Sequence, residues 1–244
     1  MTENAKPEIQ IGTVESDPSI YIEVTRDGPY IVHGVPPLHV EVITPNSTGH
    51  SWTYTEGQAF AVKNGTALCR CGHSRNKPYC DGSHLKAGVN LTETAPFTPM
   101  LDGAQEIDGP VVSLTDNEAY CAFARFCDNG NRIWNEVQMP GEQHVKLAVY
   151  MAHHCPSGRL IVWDNATRQP IETPQPATLS LLEDPVEQCS GPLALDGGIR
   201  VQSASGESYE IRNRQTLCRC GASSNKPFCD GSHASIKFQD GLER

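Results

Sequence analysis

A string of sixteen residues, CRCGHSRNKPYCDGSH from Cys69 to His84, recurs as CRCGASSNKPFCDGSH from Cys218 to His233, changed only at 73/222, 75/224 and 79/228. Each copy is too polar to be a core and too rich in donor side chains to be a plain linker. A chain that carries one device twice reads as two homologous small units, and 244 residues accommodate two or three such units. Hydrophobic content of 38% with 7% aromatic residues, 21 Gly and 18 Pro describes small, turn-rich cores of the kind that need staples.

The staple is visible in the spacing. Cys69, Cys71, Cys80 and His84 give CxCx8Cx3H, and Cys218, Cys220, Cys229 and His233 repeat it. Three soft donors and one borderline donor form a complete coordination set for zinc or iron. Two cysteines one residue apart share a side only in extended or tightly turned backbone, so FAVKNGTALC and YEIRNRQTLC are expected to be strands that end at the metal. Pro78 and Pro227 fix a turn that returns the chain to it. Asp81 and Asp230 are expected to cap a helix whose N-terminus points at the centre, with the histidine on the same helical face as its cysteine and Gly82 and Gly231 allowing close approach. Arg70, Arg75 and Lys77, and in the second copy Arg219 and Lys226, make basic islands suited to an anionic centre. Solvated surface charge is the plainer alternative.

Spacing alone leaves zinc open as a purely structural ligand set. The two strings resemble the CDGSH iron-sulfur family, also called NEET proteins, down to the proline, the Asp-Gly pair and the final histidine. The resemblance implies a 2Fe-2S cluster at each motif, two per chain. One iron would be held by the two early cysteines and the other by Cys80 and His84, or by Cys229 and His233. One imidazole in place of a thiolate removes a negative charge and eases reduction, and its protonation would make the cluster labile in mild acid.

The repeat extends upstream, where GPYIVHGVPPLHVEV near Gly28 corresponds to GPLALDGGIRVQSAS near Gly191, each a Gly-Pro turn followed by strand-like alternation. The first copy carries an insertion, TPNSTGHSWTYTEGQ, read as a hairpin loop. The expected organisation is a strand-rich segment over 1-27, one CDGSH repeat over 28-90, a middle domain over 91-178 and the second repeat over 179-244. The expected fold class is α+β and β-rich, two small cluster-binding units flanking a middle domain with short helices. Because CDGSH domains often pair as dimers, the two copies are expected to form an internal pseudo-dimer.

The middle segment has its own character. Asp116 can cap a short helix carrying Cys121, and apolar Val145, Ala148, Val149 and Ala152 mark a second helix that ends near Pro156-Ser157-Gly158. Cys121, Cys127 and Cys155 resemble the divergent mono-cluster ferredoxin domain, which implies a third cluster. Three cysteines suffice for 3Fe-4S, whereas 4Fe-4S wants a fourth ligand, for which His153, His154 or Cys189 are the candidates. Small buried thiols in a core are the alternative. Cys189 is read as structural, His33, His39, His50, His73 and His144 as surface or capping residues, and Trp52, Trp134 and Trp163 as core.

The start MTENAKPEIQ lacks a basic then apolar leader, and no later stretch is long and apolar enough to span a bilayer. A cytoplasmic protein without membrane contact is expected, with its ten cysteines as ligands or thiols. A net charge of -10 argues against nucleic acid. No catalytic signature stands out, so no enzyme activity is expected. The expected function is electron transfer, redox sensing or cluster transfer to a partner protein. A zinc-stapled interaction module without redox activity is the alternative.

Overall fold

A computed structural model describes residues 16-242. It is mostly sheet with a few short helices, an α+β, β-rich chain as expected. The strands are β1 (Tyr21–Val24), β2 (Tyr30–His33), β3 (Leu38–Pro45), β4 (Ser51–Phe60), β5 (Thr66–Leu68), β6 (Gln105–Ile107), β7 (Val112–Asp116), β8 (Leu160–Asp164), β9 (Thr178–Asp184), β10 (Cys189–Asp196), β11 (Arg200–Gln202) and β12 (Arg214–Leu217). The helices are α1 (His84–Ala87), α2 (Ile133–Glu136), α3 (Glu142–His153) and α4 (Ser232–Ser235).

Each repeat builds an antiparallel trio that delivers its motif, β1-β2-β5 in the first and β9-β10-β12 in the second. The next strand of each repeat crosses over. After β2, β3 runs parallel to β9 with Leu38 opposite Leu179 and Val42 opposite Glu183. After β10, β11 runs parallel to β1 with Ile22 opposite Val201. Parallel neighbours need long connections, and here both connections run through the rest of the first repeat and the middle domain. The strand exchange gives both repeats one core, in which Ile22, Val32, Val40, Leu179, Leu195 and Val201 are fully buried. Each such side chain contributes about 1.5–3 kcal/mol of burial.

The insertion in the first repeat is a hairpin, β3 to β4, closed by Asn46, whose Oδ1 accepts from the Thr48 and His50 amides at 3.0 Å each. It reaches the middle domain, where Tyr54 Oη donates to the His154 carbonyl at 2.8 Å and Tyr150 Oη to that of Trp52. Trp52 is thus not core; it is 37% exposed and lies against Tyr150 at 4.6 Å. In the middle domain β6-β7-β8 form a sheet covered by α3, which buries Ala148, Met151 and Ala152 while Val145 and Val149 flank them.

Several local expectations are corrected. The strands entering the motifs are only β5 and β12, because the loops before them bend away. Asp81 and Asp230 are not helix caps. Their Oδ1 atoms accept the amides of Ser83 at 2.9 Å and Ser232 at 3.0 Å in Asx turns, and α1 and α4 begin after Ser83 and Gly231. Both helices are single turns, so neither offers a developed dipole, and Cys80 and Cys229 precede them instead of sharing their faces. Asp116 ends β7, and Asn117 caps the 3-10 turn Glu118–Tyr120, which stops before Cys121. Of the segment read as strand-rich over 1-27, residues 1-15, including MTENAKPEIQ, lie outside the described residues.

Candidate metal centres

The two motifs are superposable in their hydrogen bonds. The Cys69 and Cys218 amides donate to the Pro78 and Pro227 carbonyls, and the Cys80 and Cys229 amides to the Ala67 and Thr216 carbonyls, all within 2.8–2.9 Å. Ser74 Oγ donates to the Tyr79 carbonyl and Ser223 Oγ to that of Phe228, tightening the loop around the donors.

The donors come together as pairs. Cys69 Sγ and Cys71 Sγ are 3.8 Å apart, and Cys80 Sγ and His84 Nδ1 are 3.5 Å apart. In the second motif Cys218 and Cys220 stand at 3.7 Å, and Cys229 and His233 Nδ1 at 3.3 Å. Ligands of one tetrahedral ion, with sulfur about 2.3 Å and nitrogen about 2.0 Å away, sit roughly 3.8 and 3.5 Å from each other. Each pair therefore has the separation of two ligands on one ion. In the first motif both pairs line one narrow recess shared with Gly28, Ser74 and Ser83. Among the described residues no three His, Cys, Asp or Glu groups converge on a single ion. The motif residues fit two ions held side by side.

The thiols are poised to ionise one at a time. The Cys71 thiol hydrogen-bonds to Cys69 and draws it down to about 5, and Cys71 is pushed up in turn. Cys218 is likewise drawn down to about 6 by Cys220. The cations that face these thiolates are Lys77 and Lys226. Their Nζ atoms are anchored on loop carbonyls, Lys77 on Gly72 at 2.9 Å and Ser74 at 2.7 Å, and Lys226 on Ser223.

Arg70 and Arg219 spend their hydrogen bonds on groups other than the ligand atoms, although Arg70 lines the first recess and the Arg219 charge acts on His233. Arg70 Nε donates to the Gly28 carbonyl at 2.5 Å, and its other nitrogens to Thr25 at 2.7 Å and Leu91 at 2.9 Å. Arg219 Nε donates to Gly191 at 2.7 Å, and its remaining nitrogens reach Leu182, Glu183 and Asp240. Each central arginine of CRC thus clamps the Gly-Pro pair of its own repeat, which is a turn only at Gly28; Gly191-Pro192 lies within β10 at a break in its register, correcting the expected second turn.

The environments of the motifs differ. His84 is half-buried, while His233 is 4% exposed, and burial together with the Arg219 charge pushes it down to about 4. Gly231 meets the Cys121 carbonyl 3.1 Å from where a Cβ would stand, whereas Gly82 has nothing within 4 Å. Of these two Asp-Gly glycines, only Gly231 serves a close approach. Tyr30 Oη of the first repeat donates to the Cys218 carbonyl at 2.7 Å and Pro227 at 3.1 Å, a contact that sequence reasoning missed. Its one signal was Tyr after Gly-Pro where the second copy has Leu193.

In the middle domain Cys121, Cys127 and Cys155 are near enough to act on one another electrostatically. Burial raises Cys121, and raises Cys127 to about 12 with Cys155 adding to it. Phe123 and Arg125 adopt left-handed φ of 53° and 64°, coiling the loop between the first two cysteines. Arg159, 6% exposed, loses hydration there, yet the three thiols and Asp116 outweigh that loss and hold its charge. A buried cation among three thiols suits a polyanionic centre. His153 is committed to the Ile171 carbonyl and His154 Nδ1 to that of Tyr150. Cys189 lies among Asp184, Glu187 and Lys237, so it does not join the triad.

This is the layout of an iron-sulfur protein with three cofactor-type segments. Residues 27-85 and 190-234 match the model of the iron-binding zinc finger of CDGSH type, and residues 107-165 match that of the divergent 4Fe-4S mono-cluster. The chain carries two CDGSH-type units of that family, with a divergent mono-cluster segment between them. No curated protein and no solved structure matches it. Among the described residues no helix is long and apolar enough to cross a membrane.

Proposed function

We propose that each CDGSH motif holds one 2Fe-2S cluster, with Cys69 and Cys71 on one iron and Cys80 and His84 on the other, and with Cys218, Cys220, Cys229 and His233 arranged likewise. Cys121, Cys127 and Cys155 hold a third cluster, of 3Fe-4S type unless solvent or another donor supplies a fourth ligand. The protein is a carrier and not an enzyme. It exchanges single electrons, or whole clusters, with a partner protein in the cytoplasm, where its ten free cysteines stay reduced.

The pairing of donors carries this reading. A zinc staple needs all four ligands around one ion, and among the described residues no group of three or more donors meets that condition, while each pair has the separation of two ligands on one ion. When bound, the clusters supply one-electron redox chemistry. Lys77 and Lys226 balance the thiolates, the arginine clamps fix the CRC backbone, and His84 presents an imidazole at a half-buried edge where a proton can reach it.

Iron, sulfide and zinc content of anaerobically purified protein, with its visible spectrum and EPR before and after dithionite, tests the proposal. About four iron and four sulfide per chain is expected from the motifs alone, and about seven or eight iron with the triad filled. Colourless protein with about two zinc per chain, from iron-replete cells, would instead establish the zinc-stapled module.

A further inference from the structure

The second motif and the cysteine triad share a wall. Gly231 has φ +85°, and its amide donates to Cys229 Sγ at 3.4 Å. On its open side lie the Cys121 carbonyl oxygen and Phe123 Cβ, 3.1 and 3.3 Å from the position of an absent Cβ. Around this point the two segments are sewn together. Asn225 Nδ2 donates to the Ala119 carbonyl at 2.9 Å, and Tyr120 meets Phe228 edge-on at 5.3 Å. Buried Arg212 stacks on both rings, at 4.6 and 4.9 Å. Tyr120 and Phe228 are the residues immediately before Cys121 and Cys229, so the seam aligns ligand with ligand. At the first motif Gly82 has the same left-handed backbone, φ +81°, and faces no other residue.

We propose that Gly231 is the electronic contact between the triad centre and the second CDGSH centre, a contact that the first CDGSH centre lacks at its own Gly82. The inference rests on the reading that both places hold clusters. From Cys121 the path runs through its backbone carbonyl, across the gap that a Cβ on Gly231 would fill, and through one N–H···S hydrogen bond to Cys229. One electron leaves the reduced triad centre and reduces the centre at Cys229 and His233, and no bond is made or broken. The electron is supplied from outside by a one-electron reductant, dithionite in the experiment.

The experiment is EPR power saturation on the dithionite-reduced full-length protein, compared with Cys127→Ala, Gly231→Ala and Gly82→Ala, each with iron analysis. In the unaltered protein half of the 2Fe-2S spin intensity is expected to relax fast, through a paramagnetic neighbour, and half slowly. The fast fraction is lost in Cys127→Ala, which empties the triad without touching the contact. It is reduced in Gly231→Ala, where the new Cβ displaces the Cys121 loop, and retained in Gly82→Ala, which carries the same backbone strain without the contact. If Gly231→Ala loses iron, the unaltered protein and Cys127→Ala still decide. Three filled centres with a single slowly relaxing 2Fe-2S population overturn the coupling alone. Iron of about four per chain with no third signal overturns the triad reading and the coupling with it.

Discussion

Cys71 and Cys220 face each other in an antiparallel bridge, so the two CDGSH motifs sit back to back across the strand-exchanged core. The glycine after each is pressed on the other's backbone. A Cβ on Gly72 would stand 2.6 Å from the Cys220 carbonyl oxygen, and one on Gly221 2.7 Å from that of Cys71.

Alanine at either glycine is expected to destabilise the protein more than alanine at Gly82, although all three share φ of +81°. Left-handed strain costs each variant about 1–2 kcal/mol, and only Gly72→Ala and Gly221→Ala add a backbone clash. Each kcal/mol lowers Tm by about 2–4 °C in a chain of this size. Thermal melts of the three variants that coincide would show that the bridge is not tight.

The arginine clamps differ in what they leave behind. Arg219→Ala takes the arginine from its ion pairs with buried Glu183 and Asp240, and removing one partner of such a network costs about 3–5 kcal/mol. Arg70→Ala leaves three carbonyls and no charge, so its cost is smaller. Urea unfolding should rank Arg219→Ala below Arg70→Ala, and equal midpoints would contradict the ionic role.

The motifs themselves were legible because they are local; sixteen residues contain all four donors, the proline turn and the glycines. The mono-cluster segment was legible for the same reason, down to the end of α3. The strand exchange was not. Its parallel pairs join Ile22 to Val201 and Leu38 to Leu179, and alternating burial says which face of a strand is apolar but not which strand lies beside it. Charge composition did not reveal what the arginines bond to: Arg70 and Arg219 lie between ligands in sequence, yet their donors go to Gly28, Thr25 and Leu91, and to Gly191, Leu182, Glu183 and Asp240. The cap assignments failed because Asp81 and Asp230 satisfy first-turn amides from outside helices only one turn long.

Acid should act unequally on the two motifs. In the cluster-free protein His233 has its pKa held near 4 by burial, below an unfolded value of about 6.5, so the unfolded chain binds the extra proton between these values. Stability from this group is present above about pH 6.5, declines as pH falls toward 4 and then levels, a loss on the order of 3 kcal/mol. Urea unfolding of cluster-free protein between pH 7 and 4 should show the decline, and His233→Gln should flatten it. In the loaded protein the half-buried His84 admits protons first, so colour should bleach in two phases. His84→Cys slows the earlier phase, and a single phase would refute the unequal burial.

The first motif should have the higher reduction potential. Its Cys80 and His84 are half-buried, and among the described residues Lys77 makes no ion pair, whereas Cys229 and His233 are buried with Glu183 and Asp240 paired to Arg219 nearby. An added electron is less welcome where burial and buried acids withhold compensation. Redox titrations of Cys69→Ser and Cys218→Ser, each leaving one motif intact, should show the remaining first-motif centre reduced at the more positive potential. The reverse order would contradict the prediction.

Arg159 is the residue on which the middle centre should depend most. It lies over the Trp134 ring at 6.0 Å and beside Asp116 at 3.3 Å, a buried cation that acts on all three triad thiols. Removing its charge leaves Asp116 as an uncompensated buried carboxylate and deprives the thiolates of their counter-ion. Arg159→Gln is therefore expected to lower triad iron occupancy, shift any remaining middle-centre potential downward, and leave both CDGSH signals in place. Arg159→Lys keeps the charge and should restore part of the occupancy, because compactness and hydration differ between the two cations but sign does not. Equal iron and an unmoved potential in Arg159→Gln would mean that the triad is balanced without it, and the thiols would then have to be read as packing residues gathered around a structural ion pair.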